Sequence, residues 1–379
     1  MKKIHIFLEV VPRPTDYFKP IKQLLINKND FFIDIKYPDN LKNLVKSIEY
    51  SKISKFRFFF YKKLFKFIDE EIHKILINNR NNICYIYMLD EGVWAELLSY
   101  IKDKYKLSNV KIINIQHGIG IMTPAKFKFL RKISNSLSIK LIGYPSLGLG
   151  CYGQSGSGIF DTYLTYDQTV SKIISERTNS NVIEAPELIK YNLFYSYLVN
   201  RKIHDIPLKE INILIALHHD VMFSPIKCSL FNSLDEWSKI IHMLKSYAEN
   251  DTLIFYIRLH PGSYLNPKLM KRILSHPIFL QAKQDIEQDL GKSLASKHAV
   301  LSHISTVLYD ANLLKIPSFS IKNKCFDKSV NFSTYQIDYN KIKNIIDFTK
   351  ENMASNKKIN LQLLDTIVNN YLTRLWKLK

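Results

Sequence analysis

An acid pair, a histidine and a pair of hydroxyls follow one another along this chain, each at the close of a short β-forming run. They are Asp90-Glu91-Gly92 after ICYIYML, His260-Pro261 after TLIFYIRL, and Ser305-Thr306 after the run around Val300. In open α/β sheets the loops at the carboxyl ends of strands line the ligand crevice. A carboxylate there can take a proton from a hydroxyl when burial or a neighbouring acid tunes it, and Asp90 is the first candidate, ahead of Glu91. Gly92 lets the chain turn sharply into the next helix. His260, locked by Pro261, suits hydrogen bonding or protonation of a departing phosphate. Ser302, Ser305 and Thr306 stand at a predicted helix start, where hydroxyls and free amides cradle phosphate. Asp310, one turn further, could reach a ribose hydroxyl. Plainer readings sit beside these: acids favouring a helix N-terminus, and Ser305 or Thr306 as an ordinary N-cap.

Further candidates are looser. Gln116-His117-Gly118 closes KIINI and offers His117 as a second possible base, with Gly118 in the turn. His218-His219-Asp220 closes INILIAL and could contact a phosphate or carboxylate; adjacent histidines point apart, which speaks against a metal. With no Asp-x-Asp in the chain, no metal and no cofactor is expected. The run from Gly148 to Gly153 fits GxGxxG formally. It precedes more glycines and a strand instead of opening a helix, so it reads as an acceptor-side loop through Gly150 and Gly153, or as a plain surface loop. A second His-Pro, His276-Pro277, has no strand before it and reads as a helix stop.

These residues need strands to hold them, and the chain supplies strand-like and helix-like segments in alternation. Strands are expected at Ile4–Val11, Phe31–Lys36, Ile83–Leu89, Lys111–Ile115, Tyr163–Thr165 and Val182–Glu184. A second series runs through Ile211–Leu217, Leu253–Leu259, Ala299–Leu301 and Pro317–Ile321. Helical spacing lies between them, with Ile286–Lys297 among the expected helices and Tyr191–Pro207 a connecting segment. Such alternation indicates an α/β protein with parallel, doubly wound sheets. The expected division is a Rossmann-like half over 1–200, a second over 208–341, and a helical segment over 342–379.

Length and composition permit this: 379 residues, 46% hydrophobic and 12% aromatic, are enough for two cores. Cys84, Cys151, Cys228 and Cys325 lie far apart, which suits a reducing compartment. Ile4–Val11, interrupted by His5 and Glu9, is a strand and not a signal peptide. No run of about 18 uncharged apolar residues is present to span a membrane. The net charge of +20, from 54 basic and 34 acidic residues, calls for an anionic partner or a lysine-rich composition. Between Ser51 and Ile68, Lys52, Lys55, Arg57, Lys62, Lys63 and Lys66 interleave with seven aromatics. That texture suits peripheral attachment to an anionic membrane surface on the cytoplasmic side, or a helix with a core face and a solvated lysine face. No nucleic-acid-binding signature accompanies it, so nucleic acid is not an expected partner.

Taken together, the acid-acid-Gly, His-Pro and Ser-Thr motifs resemble those of the bacterial GT-B sialyltransferases and related capsule and lipooligosaccharide transferases. The resemblance implies two Rossmann-like domains facing across a cleft, the first binding acceptor and the second the nucleotide donor. It implies a metal-independent glycosyltransferase of surface-polysaccharide synthesis. The donor would be a CMP-activated nonulosonic acid (sialic, pseudaminic or Kdo type), and the acceptor a hydroxyl of a glycan or glycolipid. In that scheme Asp90 is the base, His260 assists phosphate departure, and Ser305 with Thr306 hold it. His117 resembles a histidine of polyol-phosphate transferases, which leaves a CDP-polyol or other nucleotide-sugar transferase as an alternative. A non-catalytic sugar- or nucleic-acid-binding protein is the third reading.

Overall fold

The computed structural model describes residues 2–9, 17–28, 30–41, 57–89, 92–116, 136–140, 143–145, 160–177, 180–201, 210–217, 230–248, 251–260, 263–264, 267–322, 333–355 and 361–377. The chain divides into two compact units: Met1–Tyr191 with Asp365–Lys379, and Asn192–Leu364.

The first unit is built on six parallel strands: β1 Lys3–Glu9, β2 Phe31–Lys36, β3 Ile83–Leu89, β4 Val110–Ile115, β5 Thr162–Thr165 and β6 Asn181–Glu184. Their order is β2-β1-β3-β4-β5-β6. Consecutive strands that pair in parallel need helical crossovers, and both sheet faces must be covered, so these strands read as near-continuous apolar runs. One face meets the helix Arg57–Asn78, whose Leu64, Ile68, Ile72 and Leu76 recur at helical spacing and are buried with Ile4, Ile6, Ile86 and Ile112. On that helix Lys62, Lys63 and Lys66 are exposed while Phe65 is in the core. Its described residues therefore follow the pattern of a core face opposite a solvated lysine face.

The closing helix Leu361–Lys377 also belongs to this unit over most of its length. Its Trp376 donates from Nε1 to the Tyr87 hydroxyl at 3.0 Å, and that hydroxyl lies 2.9 Å from His5 Nδ1. His5 stacks on Tyr85, and Lys28 sits over the Trp376 ring at 4.4 Å.

The second unit carries β7 Glu210–Ala216, β8 Thr252–Arg258, β9 Lys283–Gln284, β10 Ala299–Ser302, β11 Ser318–Ile321 and β12 Tyr335–Ile337. The order is β12-β11-β10-β7-β8-β9, and every pairing is parallel. This is the Rossmann order, with the direction of winding reversing between β7 and β10. The helix Leu230–Tyr247 buries Leu234, Trp237, Ile241 and Leu244 against Ile213, Phe255 and Leu301.

Differences from the expected elements have local causes. Tyr191–Asn200 is a helix and not a connector: Phe194 and Tyr197 are buried, and that burial overrides the β preference of YNLFYSY. The helix expected over Ile286–Lys297 is confined to Leu290–Leu294, because Asp289 caps Lys292 N at 3.0 Å and starts it late. The two-residue β9 and three-residue β12 are too short to leave a period in the sequence. His276-Pro277 does end a helix, and His276 also caps the 3-10 turn that follows by accepting from Ile278 N.

Candidate active-site edge of the second unit

The reversal of winding between β7 and β10 opens a crevice outside their carboxyl ends. Three described groups from the sequence reading stand there. Ser302, the last residue of β10, is buried and donates from Oγ to the Ala216 carbonyl at 2.6 Å, pinning β10 to the end of β7. Ser305 accepts from Val307 N at 3.2 Å as the N-cap of the helix Thr306–Leu313. Thr306, the first residue of that helix, is exposed. Leu308 N donates to the Ser305 carbonyl at 3.1 Å, so of the first-turn amides that of Thr306 is left for an anion.

His260 lies just past β8, exposed, and its carbonyl accepts from Ser263 N at 2.8 Å in a tight turn. Strands β8 and β10 flank β7, so the His260 and Ser305 turns leave the same sheet edge from strands about 10 Å apart, two strand spacings. Arg258 does not join them. Its guanidinium is held by Asp285 at 2.7 Å and by the carbonyls of Glu287 and Gln288, while Asp285 also accepts from Ser293. Asp310 is buried within its helix.

The remaining sequence candidates fall at or beyond the edge of what the structure describes. Asp90, Glu91, His117, Gly118, Gly150, Gly153, His218, His219 and Pro261 lie outside the described residues. Gly92 begins the helix Gly92–Lys104 directly after β3. Gln116, the residue before His117, is buried and its Oε1 accepts from Tyr166 N at 3.1 Å.

Two features escaped the sequence reading. One is His303, between Ser302 and the Ser305 cap. Its ring is fully enclosed, packs on Trp237 with centroids 4.5 Å apart, and places Nδ1 3.1 Å from the Ile321 carbonyl. Burial pulls this imidazole down to about 4, against the opposing effect of the Ile321 bond. A histidine inside a serine-rich turn gives no periodic signal. The other lies at the carboxyl end of β1 in the first unit, where Glu9 is bound by Lys22 and by Lys36 at 2.9 Å. Burial works to raise that carboxyl, but the hydrogen bonds from Lys22 and Lys36 outweigh it and hold it below the ordinary range.

Two Rossmann-like units in one chain place the protein in the GT-B class of α/β architecture, as the motifs implied. No protein-family model and no curated protein matches the sequence. Solved structures match from end to end. MnaA of Staphylococcus aureus, in a co-structure with UDP, has 14% identity and a TM-score of 0.53, over 100% of this chain and 98% of its own. The UDP-GlcNAc 2-epimerase of Neisseria meningitidis bound to UDP-GlcNAc has 14% identity and a TM-score of 0.52, over 99% and 100%. A glycosyltransferase from Rickettsia africae has 14% identity and a TM-score of 0.51, over 100% of both chains. At such identities the likeness is one of fold.

These neighbours correct the expected chemistry. The likeness to a sialyltransferase or other CMP-nonulosonate-dependent glycosyltransferase of capsule or lipopolysaccharide synthesis is overturned. The same architecture recurs end to end in UDP-GlcNAc 2-epimerases. The CMP-activated donor and the separate glycan or glycolipid acceptor fall with it, since the ligands seen on this architecture are UDP and UDP-GlcNAc. The physical reason is that a histidine, a helix start and a few hydroxyls answer to phosphate. They carry no information on which base or which sugar reaction accompanies it.

Proposed function

We propose that this chain is a UDP-sugar enzyme of the UDP-GlcNAc 2-epimerase kind, one that inverts a ring carbon of a nucleotide-bound sugar. The observation that supports this most is the end-to-end likeness to structures holding UDP or UDP-GlcNAc, with almost nothing of either chain left over. The second unit's strand ends suit the nucleotide part. The Thr306 amide with the Ser305 and Thr306 hydroxyls offers a phosphate seat, Ser302 fixes the strand that carries them, and His260 leaves the same sheet edge from a strand about 10 Å away. His218 and His219 follow β7 directly and join this set of candidates. Because no carbonyl acidifies the C2 hydrogen, inversion there asks for a base to remove it as the C1–O bond to UDP breaks, and for a proton to return to the opposite face as UDP adds back at C1. Asp90, Glu91 and His117, which follow β3 and β4 in the sequence, are the candidates for the base and the acid.

The test has two arms. Calorimetry with UDP, CDP, CMP and GDP should rank UDP first by tenfold or more, about 1.4 kcal/mol. Proton NMR of UDP-GlcNAc incubated in deuterium oxide should show the C2 epimer growing in with deuterium at the inverted carbon. Equal affinity for CMP and UDP, or release of UDP with no epimer, would overturn the proposal.

No helix among the described residues is long and apolar enough to cross a membrane. Peripheral attachment would rest on the exposed Lys62, Lys63 and Lys66, and co-sedimentation with anionic vesicles at low and high salt checks it.

A further inference from the structure

Strands β3 and β4 turn Cys84, Ile86, Val110 and Ile112 into the core formed with the helix Arg57–Asn78. The alternate residues face the other way, towards the closing helix. Near the amino ends of the strands the register gathers these alternate side chains, with Tyr85 beside Lys111, and Ile113 beside Thr162 beside Asn181. Together with Leu375 of the closing helix they line a cavity of about 160 Å³. It lies at the opposite edge of the sheet from Gly92 and Gln116, which come after the carboxyl ends of β3 and β4.

The polar groups of this lining lack protein partners. Tyr85 is 4% exposed and its ring is held by stacking on His5, yet its hydroxyl makes no hydrogen bond and opens into the cavity. Burial raises that phenol above its ordinary value, so it keeps its proton and can donate. Thr162 is buried too, and its hydroxyl is likewise without a partner. At the rim, Lys111 has no ion pair and the Asn181 amide no hydrogen bond among the described residues. Asp161, the acid of the lining, is already matched. It takes Lys102 through both oxygens at 2.9 Å and accepts from Ile112 N at 2.7 Å. The Lys111 charge therefore stands over, and Ile113 and Leu375 add apolar walls. Water could meet the hydroxyls, but it would use neither those walls nor that charge.

A cavity of about 150 Å³ takes up one benzene ring, whereas pockets for larger ligands start at roughly 300 Å³. A nucleotide is thus too large here, and a single ring fits. We propose that this cavity binds a one-ring carboxylate bearing a hydroxyl group, with the carboxylate at Lys111 and Asn181 and the hydroxyl at Tyr85 and Thr162. Because Leu375 belongs to the closing helix, a bound ring also fastens that helix to the sheet. The site is independent of the nucleotide reading above.

Calorimetry on the full chain tests this with 4-hydroxybenzoate, benzoate, benzyl alcohol and inorganic phosphate as probes. 4-Hydroxybenzoate should bind in the millimolar range or tighter, the scale for about ten heavy atoms. Benzyl alcohol, which lacks the charge, and phosphate, which lacks the ring, should bind at least about tenfold more weakly. Lys111→Gln should weaken 4-hydroxybenzoate by a similar factor and leave benzyl alcohol unaffected. Its melting without ligand should match wild type, because that ammonium makes no ion pair in the protein. Tyr85→Phe, which keeps the ring on His5, should bring 4-hydroxybenzoate down to the affinity of benzoate. No binding of 4-hydroxybenzoate at about 10 mM overturns the proposal. So does an affinity unchanged in Lys111→Gln, or displacement by UDP, which would place the ring in the nucleotide site. Phosphate bound as tightly as 4-hydroxybenzoate overturns the class of ligand.

Discussion

Replacing Gly291 by alanine sets two effects of known size against each other. Gly291 lies in the helix Leu290–Leu294, where alanine is intrinsically better by about 1 kcal/mol. Propensity alone therefore predicts a more stable protein. The structure predicts the opposite. A Cβ on Gly291 would come within 2.5 Å of the Leu193 carbonyl oxygen, 2.9 Å of Ser196 Cβ and 2.9 Å of Tyr197 N. Two of those atoms are backbone of the helix Tyr191–Asn200, so no rotamer change relieves the clash, and the helices must separate by several tenths of an ångström. Overpacking of this kind costs about 1–3 kcal/mol, and the separation also loosens Phe194 and Tyr197. Because backbone atoms cannot give way, the cost falls in the upper part of that range, about 2–3 kcal/mol, and less the propensity gain the net expectation is a loss of about 1–2 kcal/mol, or a Tm lower by roughly 2–8 °C for a unit of this size. Urea unfolding followed by tryptophan fluorescence, with the midpoint falling at constant slope, checks it. A variant as stable as the parent, or more so, would refute the close approach of these two helices.

Ser302→Ala should cost about 1 kcal/mol, because it leaves the buried Ala216 carbonyl without its donor, and should weaken UDP binding at the same time. Trp376→Phe removes the donor to Tyr87 and leaves a smaller, weaker ring face under Lys28; a loss of about 1 kcal/mol, read by thermal melting, is expected for the first unit. Burial lowers the imidazoles of His5 and His298 to about 4 from the ordinary 6.5. The unfolded chain therefore binds their protons first, and the stability they contribute is full above pH 6.5 and falls as pH drops towards 4, by up to about 1.4 kcal/mol per histidine per pH unit. Urea titrations from pH 7 to 4 should show that slope, reduced in His5→Gln. Glu9, held low by Lys22 and Lys36, adds a loss that begins only below its ordinary value and continues as pH falls further. Glu9→Gln should reduce the acid part and leave the histidine part unchanged.

Much of the scaffold could be read from residue order, and the reason is burial on two faces. ICYIYML and FFIDIK became β3 and β2 over the expected residues, and INILIAL became β7 shifted by one. The helix carrying Leu64, Ile68, Ile72 and Leu76 lies within the helical stretch expected over 41–78. What failed to register was short or set by tertiary contact: Lys283–Gln284, Tyr335–Ile337, and the helix of Phe194 and Tyr197. At the site, Ser302 and Ser305 were visible as hydroxyls at a helix start, whereas His303 was passed over, since its enclosure depends on Trp237, sixty-six positions away. The sugar reaction was misread for a related reason. Phosphate recognition is written in a few adjacent residues, while the nucleobase and the reacting carbon are recognised by groups scattered along the chain.

The first unit is stitched from two distant stretches, Met1–Tyr191 and Asp365–Lys379. Until Leu372, Leu375 and Trp376 have emerged from the ribosome, the Tyr85 and His5 side of its sheet lacks that cover. The second unit, continuous from Asn192 to Leu364, faces no such delay. During synthesis the later segment can thus mature before the earlier one, and a chaperone acting on the nascent chain would find its binding surface on the amino-terminal half.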